Sequence, residues 1–215
     1  MALTKVRGGA IDNPLTLGGG SASDRSIIFD GNAQDFHIGL DDSEDKLTIG
    51  LGSTLGTTSH MVIDANGHIT KPLQPCFLAQ KNAQQTNLSV GGYHDVTFEL
   101  ERFDVGGNFA SNTFTAPVTG KYQLNLTLRI DNLDTDSPYA LLYITTSNRG
   151  YYQLVDTDIW SSDLDYHCFQ ISVVADMDAN DTAKAEIKVQ AGAAQSDIDG
   201  GTGDPVTFFS GYLLG

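Results

Sequence analysis

The residues of this 215-residue chain that could act as nucleophiles, acids or bases do not stand at the spacing of a catalytic motif. A serine hydrolase of the nucleophile-elbow type needs Gly-x-Ser-x-Gly at a strand-to-helix turn, and the run Gly18–Ser21 lacks that context. A glycosidase needs two positioned carboxylates, but paired acids are expected by chance in a chain with 27 Asp and Glu residues. No phosphate-binding glycine loop occurs. The sequence therefore predicts a protein that is not an enzyme and that has no cofactor.

Metal ligation by histidine is not predicted, because no two histidines stand at the three- or four-residue spacing that aligns ligands on a helix. The run Asp176–Asp181 begins like a calcium-binding EF-hand loop, but Asp181 stands where glycine is needed and Ile187 where glutamate is needed. We interpret it as a turn before a strand, and the acidic run Asp41–Asp45 as a solvated hairpin tip. A calcium ion in loops or on a trimer axis stays open, with no residue assigned. The histidines predicted to be surface or strand-edge residues are His37, His60, His68, His94 and His167.

The net charge excludes nucleic acid as a partner. Twelve basic residues against 27 acidic ones give a net charge of −15, so no basic surface can displace counterions from phosphates. No run of about 18 apolar residues occurs, which argues against insertion into a membrane. The opening residues lack the apolar core of a secretory signal, and Cys76 and Cys168 form no metal or disulfide motif. We expect two reduced thiols and synthesis in a cytoplasm.

The chain is predicted to consist of four segments. Residues 1–26, with runs of glycine and few large apolar side chains, indicate an extended attachment arm. Residues 27–70 hold short apolar runs separated by Gly, Asp and Asn, which is typical of a meander of short β-hairpins. Residues 71–75 contain two prolines and predict a linker. Residues 76–215 carry the clearest strand periodicity and predict a separate domain, called the head domain below.

The meander is too small to close a core by itself, because about 45 residues of short strands offer only one or two large side chains each. Copies of the same chain around a symmetry axis would supply the missing apolar cover. We therefore expect residues 27–70 to form an intertwined trimer stem. Because every copy carries a charge of −15, the contacts between copies must be largely apolar.

Alternation of apolar and polar residues predicts an all-β head domain. Four large apolar residues at every second position from Tyr122 to Leu128 would share one face of a nine-residue strand. Further predicted strands are Phe77–Ala79, Asp95–Leu100, Thr113–Thr115, Tyr139–Thr146, Phe169–Val173, Ala185–Ala191 and Val206–Leu214. Eight or so strands without a credible helix between them indicate a β-sandwich or jelly roll.

One block of the head domain resembles the signature of the C1q family. From Phe114 to Leu126, Phe is followed after five residues by Gly, then by Tyr two positions later and by alternating apolar residues. The closing run Phe209–Leu214 is similar to the last strand of that family. The resemblance covers residues 76–215 and implies a C1q-like jelly roll, related in shape to tumour necrosis factor, that forms homotrimers. The residues assigned to the signature core are Phe114, Gly120, Tyr122, Leu124, Leu126, Phe209 and Gly211.

The front of the chain resembles a different group of proteins. Residues Ile27–Asp42 and Leu47–Ser53 are similar to a segment of structural proteins of tailed phages, and Met1–Val6 resembles the opening of phage fibre proteins. Together with the head domain, this implies a virion surface protein, made in the cytoplasm of a host bacterium and attached to other virion proteins through its arm. It would be a short fibre or spike that adheres to a host surface glycan or protein. The alternatives are a capsid decoration or cement protein and, less favoured, a bacterial C1q-like lectin.

Recognition of a ligand needs exposed side chains that the core does not use. Residues 148–167 are rich in Asp and Ser and hold aromatic residues, a combination that suits an adaptable contact surface. We predict a surface loop there whose ligand-contacting residues are Tyr151, Tyr152, Trp160 and Tyr166. The alternative is that two of them, Tyr152 and Trp160, pack beneath the loop as a local core. Residues 197–204 predict a second long, flexible loop.

Overall fold

The computed structural model describes residues 16–215, so residues 1–15 of the predicted arm lie outside the described residues. The chain divides into two compact units between Leu73 and Gln74, within the segment predicted to be a linker. All regular structure in residues 16–215 is β-strand, which confirms the predicted all-β class. No helix in this part of the chain could cross a membrane.

The N-terminal unit is one antiparallel sheet whose five strands follow in chain order. Its strands are β1 (Arg25–Phe29), β2 (Phe36–Asp41), β3 (Lys46–Leu51), β4 (Ser59–Ile63) and β5 (Ile69–Thr70). Asp45 and Gly67 complete the turns after β2 and β4 in left-handed conformation, with φ of 53° and 85°. Asp and Gly are among the residues that tolerate this conformation, which is why short separators such as Asn66-Gly67 reverse the chain here.

The second unit contains the head domain and consists of twelve strands in two sheets. They are β6 (Cys76–Gln80), β7 (His94–Asp95), β8 (Leu100–Val105), β9 (Phe109–Ala110), β10 (Thr113–Thr115), β11 (Gly120–Leu133), β12 (Tyr139–Thr146), β13 (Gly150–Asp156), β14 (Leu164–Met177), β15 (Thr182–Val189), β16 (Asp197–Ile198) and β17 (Phe208–Leu213). Sheet I has the order β14-β11-β17-β6-β8, with β16 beside β11. Sheet II has the order β13-β12-β15-β10-β9, with β7 beside β15. The chain crosses between the sheets at most of its connections, which makes the head domain a jelly roll, as predicted.

The core of the head domain lies between the inner faces of the two sheets. Side chains at every second position of β11 from Tyr122 to Ile130 point into it and are almost completely buried. Phe77 of sheet I stacks on Phe109 and Phe114 of sheet II, with ring centroids 5.0 and 4.8 Å apart. Gly211 allows this close packing, because a Cβ there would stand 2.7 Å from a Leu124 methyl group. The buried members of the predicted signature are Phe114, Tyr122, Leu124, Leu126, Phe209 and Gly211, and Gly120 is half-buried.

Three segments of the head domain differ from the prediction. The predicted strand Asp95–Leu100 is divided between β7 and β8. Val96 still donates its N–H to Ala185 of β15, but the Phe98 N–H donates to the Asn112 side chain at 2.6 Å instead of to a strand. The predicted loop 148–167 holds β13 and the start of β14, since Tyr151 and Val155 alternate inward and pack against the core. The predicted loop 197–204 begins with β16, which pairs with β11 and buries Ile198.

Candidate interaction surfaces

One face of the N-terminal sheet consists almost entirely of large apolar side chains. Direct cross-strand pairs, such as Ile38 opposite both Ile27 and Ile49, place them side by side. This N-terminal apolar face comprises Ile27, Phe29, Phe36, Ile38, Leu40, Leu47, Ile49, Leu51, Met61, Ile63 and Ile69. In one chain, exposure reaches 55% for Phe29 and 57% for Ile69. A contiguous apolar surface of this kind marks an interaction site in a folded protein.

The chain's own loop, residues 52–58, covers part of the opposite face of the same sheet. The His37 ring lies beneath this loop, fully buried, with its Nδ1 2.9 Å from the Gly52 carbonyl oxygen. The fit requires glycine at position 50, because a Cβ there would stand 2.8 Å from the His37 ring and would overlap the Thr58 carbonyl oxygen. The prediction of a surface or strand-edge histidine is therefore wrong for His37, since sequence pattern does not reveal that a loop folds over it.

A row of three tyrosines lies on the outer face of sheet II. Tyr143 of β12 stands directly opposite Tyr152 of β13, and their ring centroids are 5.1 Å apart. Tyr93, just before β7, meets Tyr143 edge to face at 5.3 Å and donates a hydrogen bond to its hydroxyl at 3.4 Å. Tyr93 is 53% and Tyr152 58% exposed. These residues form the tyrosine row, an aromatic strip that crosses four strands of sheet II.

Charged side chains beside the tyrosine row pair with one another. The Lys184 ammonium group lies 2.7 Å from Asp95 and 3.1 Å from Glu186, and the hydrogen bond to Asp95 is the main reason that its pKa is raised. The Lys188 ammonium group lies 5.3 Å from the centroid of the Tyr93 ring, within cation–π range. The hydrogen bond between the Tyr93 and Tyr143 hydroxyl groups, followed by burial, raises the pKa of Tyr143 to about 12.

The structure does not bring the four predicted contact residues together on one surface. Tyr151 and Tyr152 are neighbours on β13 and therefore point to opposite faces: Tyr151 packs against the core, whereas Tyr152 joins the tyrosine row. The alternative in which Tyr152 belongs to a local core is also wrong, because the side chain is largely exposed. Tyr166 lies on β14, in sheet I. Sequence reasoning missed Tyr93 and Tyr143, which lie far apart in the chain and meet only through the pairing of β12, β15 and β7.

Trp160 and Tyr166 have separate surroundings. The Trp160 ring lies 5.4 Å from the His167 ring, where burial lowers the pKa of His167. Tyr166 is 68% exposed and carries the Arg129 guanidinium group over its ring at 4.4 Å from the centroid. Arg129 in turn contacts Asp131 at 2.8 Å and Asp199 at 3.0 Å. Tyr166 is thus part of a polar cluster on sheet I that is distinct from the tyrosine row.

The acidic runs form turns. Asp181 accepts a hydrogen bond from the Asp178 N–H at 2.8 Å and donates its own N–H to the Asp178 carbonyl oxygen, which closes the turn between β14 and β15. At the tip between β2 and β3, Asp41 is only 8% exposed and accepts a hydrogen bond from the Ser43 hydroxyl, so this residue is not solvated as predicted. In residues 16–215, no group of three His, Cys, Asp or Glu side chains stands close enough together to hold a metal ion.

Comparisons with known proteins give structural neighbours only. No family model matches the sequence, and no curated protein matches it. The chain is similar to the globular domain of zebrafish complement 1qA, with a TM-score of 0.46 and 17% identity over 66% of this chain and 98% of that one. It is equally similar to murine APRIL, in crystals at pH 8.5 and pH 8.0, with a TM-score of 0.46 and 11% identity over 66% of this chain and 99% of that one.

Proposed function

We propose that this chain is a non-enzymatic structural protein of a tailed-phage virion, assembled as a homotrimer. In this proposal the N-terminal arm attaches to other virion proteins, residues 27–70 form the trimer stem, and the head domain projects from the virion surface as a short fibre or spike that adheres to the host. The observation that carries the proposal is the N-terminal apolar face, which a single chain leaves uncovered.

Copies of the same chain fit this face better than an unrelated partner does. Eleven large apolar residues share the face, and of the β1 and β2 residues on it only Arg25, at its margin, is charged. Two copies can therefore bring these faces together without placing like charges opposite each other, although each copy carries a net charge of −15. Burying apolar area yields about 25 cal/mol per Å², and a sheet this small needs that contribution to be stable.

A second function, capsid decoration, is favoured by the size of the stem. The strands of the N-terminal sheet run only from Arg25 to Thr70, which is short for a shaft that must hold a fibre away from a virion. In that case the arm and stem would clamp the capsid shell and the head domain would project from it. The two functions differ in copy number, since a fibre is present in a few to a few dozen copies and a decoration protein in hundreds.

Two measurements test the proposal. Sedimentation equilibrium of the full chain at micromolar concentration should give three times the mass of one chain, with residues 25–70 resistant to protease. A protease-resistant monomer would refute the trimer. Counting copies per virion by mass spectrometry then separates fibre from decoration protein, and absence of the chain from purified virions would refute both.

A further inference from the structure

We infer that the tyrosine row on sheet II, formed by Tyr93, Tyr143 and Tyr152, binds an uncharged saccharide chain. The inference rests on the proposed role in host adhesion and names both the chemistry of the ligand and the surface that holds it. It moves the predicted contact surface from residues 148–167 to a strip built by β7, β12 and β13, with β15 between them.

The rings of the tyrosine row are both exposed and held in place. Tyr152 and Tyr93 each leave more than half of their surface to solvent, although both rings contact Tyr143. Side chains that are fixed before binding lose little conformational entropy when a ligand arrives. An aromatic ring offers a flat apolar face, and a sugar ring offers a complementary face of C–H groups with hydroxyl groups around its edge. The rings of Tyr143 and Tyr152, inclined to each other by 32°, can together face a saccharide chain, and Tyr93, at 80° to Tyr143, forms a wall at one end of this platform.

The charges around the row select an uncharged ligand. The two lysines, Lys184 and Lys188, are balanced by the two carboxylates, Asp95 and Glu186, so the strip is neutral in a chain whose net charge is −15. An anionic polymer would meet the long-range repulsion of the whole protein. A cationic ligand would have to displace Lys188, which already lies over the Tyr93 ring. A neutral polymer meets no charge repulsion, and it can pack on Tyr143 and Tyr152 while Lys188 stays over the Tyr93 ring.

Polar groups at the margin can orient the hydroxyl groups of a sugar. The Tyr143 hydroxyl stays protonated and already accepts a bond from Tyr93, so it can donate one to a ligand. Lys184 supplies a donor, and the carboxylates of Asp95 and Glu186 supply acceptors on the same outer face as Tyr143. A few fixed polar groups next to an apolar platform are what gives a ligand site its specificity.

The test is binding of the full-length protein to defined polysaccharides by affinity gel electrophoresis and saturation-transfer NMR. The panel contains the neutral polymers dextran, laminarin, mannan and galactan, and the anionic polymer alginate. We expect retardation by at least one neutral polymer, unchanged between low and high salt. The variants Tyr152→Ala and Tyr93→Ala should each weaken this binding at least tenfold. The matched control is Tyr166→Ala, which removes an even more exposed tyrosine from sheet I.

Each remaining outcome overturns the inference. These outcomes are no binding to any neutral polymer, binding to alginate alone, wild-type binding by Tyr152→Ala, or equal loss in Tyr166→Ala. Capture of a protein ligand that Tyr152→Ala abolishes would show that the row recognises protein instead of saccharide. Sedimentation of the same variants keeps the proposed function separate, because a trimer that binds no saccharide would refute only this inference.

Discussion

The ammonium nitrogen of Lys81 lies 3.4 Å from a carboxylate oxygen of Glu99, and the Lys81 side chain is only 1% exposed. The same nitrogen donates a hydrogen bond to the Thr97 hydroxyl at 2.6 Å. Burial of the ammonium group lowers the pKa of Lys81, since a charge removed from water is costly unless it is paired. The contact therefore joins the end of β6 to the segment that leads into β8, where the chain runs outside the two sheets.

Removing the carboxylate should destabilise the head domain. Glu99→Gln leaves the Lys81 charge with neutral partners only. We expect the free energy of unfolding to fall by about 1–3 kcal/mol. This loss is smaller than that for breaking a fully buried ion pair, because Glu99 is partly exposed. The double variant Lys81→Met with Glu99→Gln should recover part of this loss. Urea unfolding of Glu99→Gln, Lys81→Met and the double variant measures both effects, and simple additivity of the two substitutions would contradict the pairing.

The same pair makes a specific contribution to acid unfolding. Burial acts to raise the pKa of Glu99, but hydrogen bonds from the Thr97 hydroxyl and the Asn82 N–H and the charge of Lys81 outweigh it, so the pKa in the folded state is lowered. A carboxyl group with a lowered folded pKa stabilises the protein above its unfolded pKa, near 4.5, and loses that contribution as the pH falls through the folded value. The stability difference between wild type and Glu99→Gln should therefore be largest at pH 6–7 and shrink below about pH 4.5. A stability difference that stays constant from neutral to acidic pH would argue against a lowered pKa of Glu99 in the folded state.

A charge placed on the N-terminal apolar face should dissociate the assembly. Ile38→Glu places one carboxylate per copy on a surface that the proposed self-association would bury away from water. The sedimenting mass should therefore fall from that of a trimer toward that of a monomer at micromolar concentration. The control is Ile28→Glu on the neighbouring strand. Ile28 is 37% exposed against 38% for Ile38, but it pairs with His37 and so lies on the opposite face. Equal effects of the two substitutions on the sedimenting mass would show that the substitutions unfold the sheet instead of dissociating the copies.

The partly covered face of the N-terminal sheet should not accept a methyl group at position 50. The added methyl group of Gly50→Ala would push both the His37 ring and the Thr58 carbonyl group away from position 50. We expect this overpacking to lower the free energy of unfolding of the N-terminal unit by about 1–3 kcal/mol. Hydrogen exchange at β2 and β3 amides should accelerate, while the head domain is unchanged. Gly19→Ala is the control, because a Cβ at that position meets no atom within 4 Å. Unaltered exchange in Gly50→Ala would contradict the described packing.

The Tyr122 hydroxyl should contribute a measurable hydrogen bond inside the head domain. It donates to the Val118 carbonyl oxygen at 2.8 Å and fixes the chain at the start of β11. Tyr122→Phe keeps the buried ring and removes this one bond, so the free energy of unfolding should fall by about 0.5–1.5 kcal/mol. Leu124→Ala, which leaves a cavity next to it, should cost about 2–5 kcal/mol. Chemical denaturation that ranks the two variants in the reverse order would contradict this assignment.

Strands with regular alternation were predictable, and surfaces made by distant segments were not. The structure gives Thr113–Thr115 and Tyr139–Thr146 the bounds that the sequence predicts, because each alternates or is apolar between turn residues. The sequence did not predict β13, because the Asp and Ser residues that follow it obscure the alternation of the inward-facing Tyr151 and Val155.

The candidate site shows the same limit. The exposure of Tyr152 follows from its place on an edge strand, but its partner Tyr143 is identified only by the register of β12 and β13. Tyr93 enters the row through β7, a strand of two residues that no periodicity can reveal. The burial of His37 likewise depends on a loop that folds back from positions 52–58. These features arise from tertiary contacts, which a single sequence does not encode locally.

The loop over His37 would also limit how large the proposed assembly can become. A β-sheet with two uncovered faces can stack on further copies indefinitely. In this sheet, the loop of residues 52–58 already packs against part of one face. In the proposed trimer, three copies would turn the apolar face toward a common centre and leave the face that carries the loop directed outward. The glycine at position 50, because it lets that loop pack against the sheet, would thus favour the proposed trimer over open-ended growth.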